Sequence, residues 1–109
     1  MNQTQRRSAF KAARLYLEMR GHRLLEQGWS SGRHKIDLIA TKNNVIEFIN
    51  ISYAPENGNV DVAESARANT KLKMAEEAWV TDNKFSGTTA TMVVEILGDS
   101  YAVLSFNEV

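Results

Sequence analysis

Two apolar β-prone stretches, Lys35 to Ala40 and Val45 to Tyr53, follow one another with only the polar break Lys42-Asn43-Asn44 between them. A third stretch, His22 to Trp29, precedes them across Ser30-Ser31-Gly32, and the three together predict a β-meander in the middle of the chain. Ahead of it, Ala9, Phe10, Ala13, Tyr16 and Leu17 recur at helical spacing between Gln3 and Arg20. Arg7, Lys11, Arg14 and Glu18 form the opposite stripe, so this helix has a largely cationic back, and Gly21 is placed to end it.

After Tyr53, Ala54-Pro55-Glu56-Asn57-Gly58-Asn59 predicts a surface loop, because Pro cannot donate and Gly and Asn tolerate positive φ. Asp61 with Glu64 is spaced like a capping box, and Ala68, Leu72, Ala75 and Trp79 keep one face of a second helix apolar to about Val80. Thr89 to Leu97 and Tyr101 to Phe106 then predict two strands around Gly98-Asp99-Ser100. The order is α-β-β-β-α-β-β, an α/β chain (α+β by some schemes). At 109 residues with 43% hydrophobic content it forms one domain, residues 1–109.

The absence of Cys excludes a disulfide framework, a thiolate zinc site and a cysteine nucleophile, and makes a reducing interior the easier home. Met1 to Arg7 is too polar for a signal peptide, and no apolar run approaches the roughly 20 residues of a membrane span, so the expectation is a cytoplasmic protein without membrane contact. The net charge is zero, but nine basic residues up to position 42 face only Glu18, Glu26 and Asp37, and beyond it four face ten acids. The basic first third could meet phosphates, and the acidic remainder could meet the basic part of a second copy.

No Gly-rich phosphate loop, His-Glu-x-x-His helix or Gly-x-Ser-x-Gly elbow is present, and His22 and His34 are the only imidazoles. Asp37 stands out as an acid inside an apolar strand pattern, where a charge is costly without a partner or a task. Strand alternation puts Phe48, Asn50 and Ser52 on one face of the next strand and Glu47, Ile49 and Ile51 on the other, leaving Asn50 and Ser52 as the polar pair near Asp37.

Ala13-Arg-Leu-Tyr-Leu17, Gly21-His-Arg-Leu-Leu-Glu26, Trp29 and above all Ile36-Asp-Leu-Ile-Ala40 resemble the YraN-type family of endonuclease-like proteins. The likeness extends to Lys71, Ala75, Ala78 and Trp79 and to Val93-Val-Glu-Ile96. That family is similar to archaeal Holliday-junction resolvases and shares the restriction-endonuclease-like, or PD-(D/E)xK, fold. The resemblance implies a mixed central sheet of about five strands carrying two main helices. It also implies phosphodiester hydrolysis in which Asp and Glu oxygens hold Mg²⁺ or Mn²⁺ and a Lys stabilises charge. The family's Asp matches Asp37, but its Glu-x-Lys positions are Asn50 and Ser52 here. Its Gly-Glu before Ile-Asp is His34-Lys35, and its Glu early in the first helix aligns with Phe10.

Asp37 would therefore be the one residual ligand if the site were active, and a Mg²⁺ site resting on one carboxylate and a neutral amide binds weakly. Lys35, two residues away on the same strand face, is expected to pair with Asp37 in place of the ion. The leading expectation is a degenerate, catalytically inactive endonuclease-like domain needing no cofactor. It would bind DNA, duplex or branched, through Arg7, Lys11, Arg14, Lys35 and Lys71. One alternative is an active Mg²⁺- or Mn²⁺-dependent endonuclease or junction resolvase with ligands relocated to Glu64, Lys71, Glu18 or Glu26. Another is a protein interaction module, including a homodimer, without nucleic-acid binding.

Overall fold

The computed structural model describes residues 2–54 and 62–109, with the side chains of the second stretch described from residue 65. Its elements are α1 (Gln3–Met19), β1 (Arg23–Ser31), β2 (His34–Lys42), β3 (Val45–Ala54), α2 (Val62–Asp82), β4 (Thr88–Leu97) and β5 (Val103–Glu108). The expected order stands, as a mixed five-stranded sheet in the order β1-β2-β3-β4-β5 with two helices. The pairs β1–β2, β2–β3 and β4–β5 are antiparallel, and α2 carries the chain back so that β4 runs parallel to β3. No helix among the described residues is long and apolar enough to cross a membrane.

Local chemistry accounts for most boundaries. Asn2 caps α1: its Oδ1 accepts from the Gln5 N–H at 2.8 Å while Gln5 Oε1 accepts from the Asn2 N–H at 2.9 Å. This reciprocal capping box satisfies two of the helix's orphan donors. The box expected at Asp61 and the loop of residues 55–59 lie outside the described residues. The β2–β3 hairpin closes on Asn43 and Asn44, at φ 52° and 65°, the type I′ signature that suits the right-handed twist of the flanking strands. Tyr101 has φ 57°, which interrupts extension, so β5 begins at Val103 rather than at Tyr101.

The sheet has a core on each face. Ala9, Phe10, Ala13 and Leu17 of α1 pack with Leu38, Ala40, Ile49, Val94 and Ile96 on one side. Leu72, Ala75 and Trp79 of α2 pack with Ile36, Ile39 and Phe48 on the other. Trp79 meets Phe48 edge to face at 5.2 Å in the interior, and the partly buried Trp29 packs against the same cluster. The two helices, and any functional groups on them, are thus held on opposite faces.

Candidate functional site

The β2–β3 ladder runs from Lys42–Val45 to Leu38–Ile49 and stops. Beyond it β2 stays paired with β1, and β3 stays paired with β4, so the sheet forks where Asp37 and Asn50 face each other. A fork leaves backbone N–H groups without a strand partner, and a buried orphan is costly. Here the two side chains serve as partners. Asp37 Oδ2 accepts from the Ile51 N–H at 2.8 Å, and Asn50 Oδ1 accepts from the Asp37 N–H at 3.3 Å. Burial nevertheless pushes the Asp37 carboxyl above its ordinary value of 3.8, against the opposing pull of the Ile51 N–H and the Arg6 guanidinium.

Side-chain alternation breaks at this point, since Ile36 packs with the α2 cluster and Leu38 with the α1 cluster. Across the sheet, Gly28 of β1 adopts φ 71°, a value that glycine reaches without strain. The break corrects the expectation for Lys35. Its side chain is exposed and makes no ion pair with Asp37, and the cation that acts on that carboxyl is Arg6 of α1. Ser52 is also exposed and adds no hydrogen bond to Asp37.

Arg6 belongs to a pocket of about 500 Å³ between α1 and β1, lined by Gln3, Arg6, Arg7, Phe10, Lys11, Arg14, Gln27 and Gly28. The helical residues recur every three or four positions and so fall on one stripe of α1. Phe10 forms the apolar floor, with the Arg6 guanidinium 5.5 Å from its ring centroid. No carboxylate lines the pocket, none of its cations makes an ion pair among the described residues, and the Arg14 Nε is buried without an acceptor. The expected cations Arg7, Lys11 and Arg14 therefore converge, whereas Lys35 and Lys71 do not join them. Lys71 is exposed on α2, across the sheet from α1. Arg6 and Gln27 join them beyond the sequence expectation: Arg6 lies beside Arg7 on the helix, whereas Gln27 reaches the pocket only through the packing of β1 on α1.

Glu18 and Glu26 are exposed, and the Glu64 side chain lies outside the described residues. Among the described residues no three His, Cys, Asp or Glu side chains are grouped as metal ligands would be. Glu47 has a separate role. Its Oε1 lies 2.5 Å from Nδ1 of His22, both residues are buried, and the His22 ring meets Phe106 edge-on at 5.5 Å. This pair ties the end of α1 to β3 and β5.

Residues 11–96, which include the whole fork, match the description "Uncharacterised protein family UPF0102". The chain belongs to the UPF0102 family. Among its relatives, a UPF0102 protein of Cytophaga hutchinsonii is 31% identical over 81% of this chain and 80% of its own length. One of Ectopseudomonas mendocina is 33% identical over 71% of this chain and 66% of its own. One of Chloroherpeton thalassium is 28% identical over 88% of this chain and 77% of its own.

Proposed function

We propose that this UPF0102 chain is a nucleic-acid-binding domain of restriction-endonuclease-like fold in which the hydrolytic centre has become a structural clamp. The observation that carries the reading is the convergence of Arg6, Arg7, Lys11 and Arg14 on one concavity where, among the described residues, none of them makes an ion pair, Asp37 acting on Arg6 only at longer range. Guanidinium and ammonium groups gathered on one stripe repel one another and are stabilised by an anion, and phosphate is an anion that guanidinium engages bidentately. Binding of this kind is salt-dependent and largely indifferent to base sequence.

Among the described residues, the donor set at the fork does not fit Mg²⁺ or Mn²⁺. One oxygen of Asp37 is engaged by the Ile51 N–H, the Asn50 carbonyl oxygen is turned to the Asp37 N–H, and Glu47 is bound to His22. A hard divalent cation needs more anionic oxygen than this to replace its hydration shell. On this reading Asp37 holds the strand ends together.

The test is titration of the full chain into labelled duplex, single-stranded and four-way-junction DNA, at low and moderate salt, with and without Mg²⁺ or Mn²⁺. The expected result is salt-sensitive binding without strand cleavage, weakened by Lys11→Gln. Metal-dependent cleavage lost in Asp37→Ala would overturn the inactive centre. Absence of binding to all three substrates would overturn the nucleic-acid reading in favour of a protein partner or a second copy.

A further inference from the structure

The α1–β1 pocket is unlike a groove that follows a nucleic-acid backbone. The charged side chains it gathers belong to two and a half turns of one helix, and its far wall is the strand segment Gln27–Gly28 at the edge of the sheet. It is an open depression of about 500 Å³ whose lining residues other than Phe10 and Arg14 are exposed, so a ligand reaches it directly from solvent. Gly28 keeps that wall low: a Cβ there would meet no protein atom within 4 Å, so any side chain would project into open space beside the pocket.

The polar groups that line the pocket are dominated by donors. Arginine and lysine have no acceptor at all, and each Gln supplies an NH₂ beside its one carbonyl. An occupant must therefore be rich in acceptors and carry more than one negative charge. An internal phosphodiester has a single charge, whereas a phosphomonoester has about −1.5 to −2 at neutral pH and three free oxygens. Arg14 adds a second and independent observation. Its Nε–H is buried and has no acceptor, an uncommon state for a guanidinium. Nε is closed to solvent in this conformation, so a turn of the Arg14 side chain is needed before two oxygens of one anion engage Nε and Nη side-on and satisfy both. The exposed Arg6 guanidinium lies 5.5 Å from the Phe10 ring centroid at the pocket.

We propose that this pocket receives the terminal phosphate of a nucleic-acid strand, so that the protein recognises phosphorylated ends rather than the continuous backbone. The proposal rests on the nucleic-acid reading above and specifies its substrate class.

The experiment measures binding of the full chain to one labelled single-stranded oligonucleotide prepared with a 5′-phosphate, with a 3′-phosphate and with hydroxyls at both ends. A phosphorylated form is expected to bind about tenfold tighter or more than the hydroxyl form, as two additional charge-assisted hydrogen bonds would give. Arg14→Met should reduce that ratio to about twofold or less, and Lys11→Gln, at an exposed position, should lower it in a background where folding is not in question. Lys73→Gln on α2 should leave it unchanged. Equal binding of all three forms would overturn end recognition while leaving nucleic-acid binding in place, and failure of every form to bind would overturn both. A mononucleotide that competes as well as the phosphorylated strand would move the site from strand ends to free nucleotides and overturn the proposal as stated.

Discussion

Asp37 and Glu47 are carboxylates on neighbouring strands of one sheet, and the fold treats them in opposite ways. Glu47 is 8% exposed and meets the imidazole of His22, itself 8% exposed, with an aromatic ring closing the site. Asp37 is half-buried, accepts from the Ile51 backbone N–H at the fork, and has Arg6 nearby without a direct ion pair. A charge with a dedicated side-chain partner in the interior is a structural device, since the pair satisfies itself and leaves nothing for a ligand. A charge at an opening between strands, beside cations that have no partners of their own, borders a surface with unsatisfied bonding capacity.

The sharpest way to break that contrast is at the buried pair. His22→Ala leaves Glu47 buried without its partner and is expected to cost about 3–5 kcal/mol in urea unfolding. The double variant His22→Phe with Glu47→Leu should regain much of that, because a matched apolar pair removes both desolvation penalties. Little loss in His22→Ala would erase the distinction between the two carboxylates.

At the fork the effect should be smaller. Asp37→Ala strands the Ile51 N–H and is expected to cost about 1–3 kcal/mol, whereas Asp37→Asn keeps an acceptor and should cost less. Asp37→Ala should alter nucleic-acid binding less than it alters stability. A loss of binding without a loss of stability would return Asp37 to a direct functional role.

The Asp37 carboxyl also gives a signature in pH. Because its folded pKa lies above the ordinary 3.8, the native state holds this proton more tightly than the unfolded chain. Its contribution therefore favours folding at low pH and is lost as pH rises from 3.8 through the raised value. The difference in stability between the native protein and Asp37→Asn should move in the variant's favour across that window. A flat difference, measured by urea unfolding at several acidic pH values, would mean that burial does not govern this group.

The smallest stability effects should come from the cationic stripe. Arg7→Gln and Lys11→Gln, both exposed, are expected to change stability by no more than about 0.5 kcal/mol. Each should nonetheless reduce the slope of log affinity against log salt by about one. A large stability change with no change in slope would place these residues in the structure rather than the interface.

Much of this was legible in the residues. The apolar spacing of Ala9, Phe10, Ala13 and Leu17 predicts α1, and those four residues are buried in its core. Asp37 stands out because an acid in an apolar strand requires a partner, and the structure supplies one in the Ile51 N–H. Two contacts could not be read. His22 was expected at the start of a strand, yet it lies in the turn before β1 and reaches Glu47, 25 residues on. Lys35 was expected beside Asp37 on regular alternation, which holds only while a strand keeps an unbroken pleat.

The sequence by itself determined the seven elements, their order and most turns, because spacing, caps and glycine or asparagine at positive φ act within a few residues. It also determined that the first helix would be cationic. Only the tertiary structure decided that β3 and β4 run parallel, that the sheet forks at Asp37, and that Arg6 and Gln27 share a pocket. Those features join residues far apart in the chain, and such contacts depend on how whole faces pack together, which no local pattern encodes.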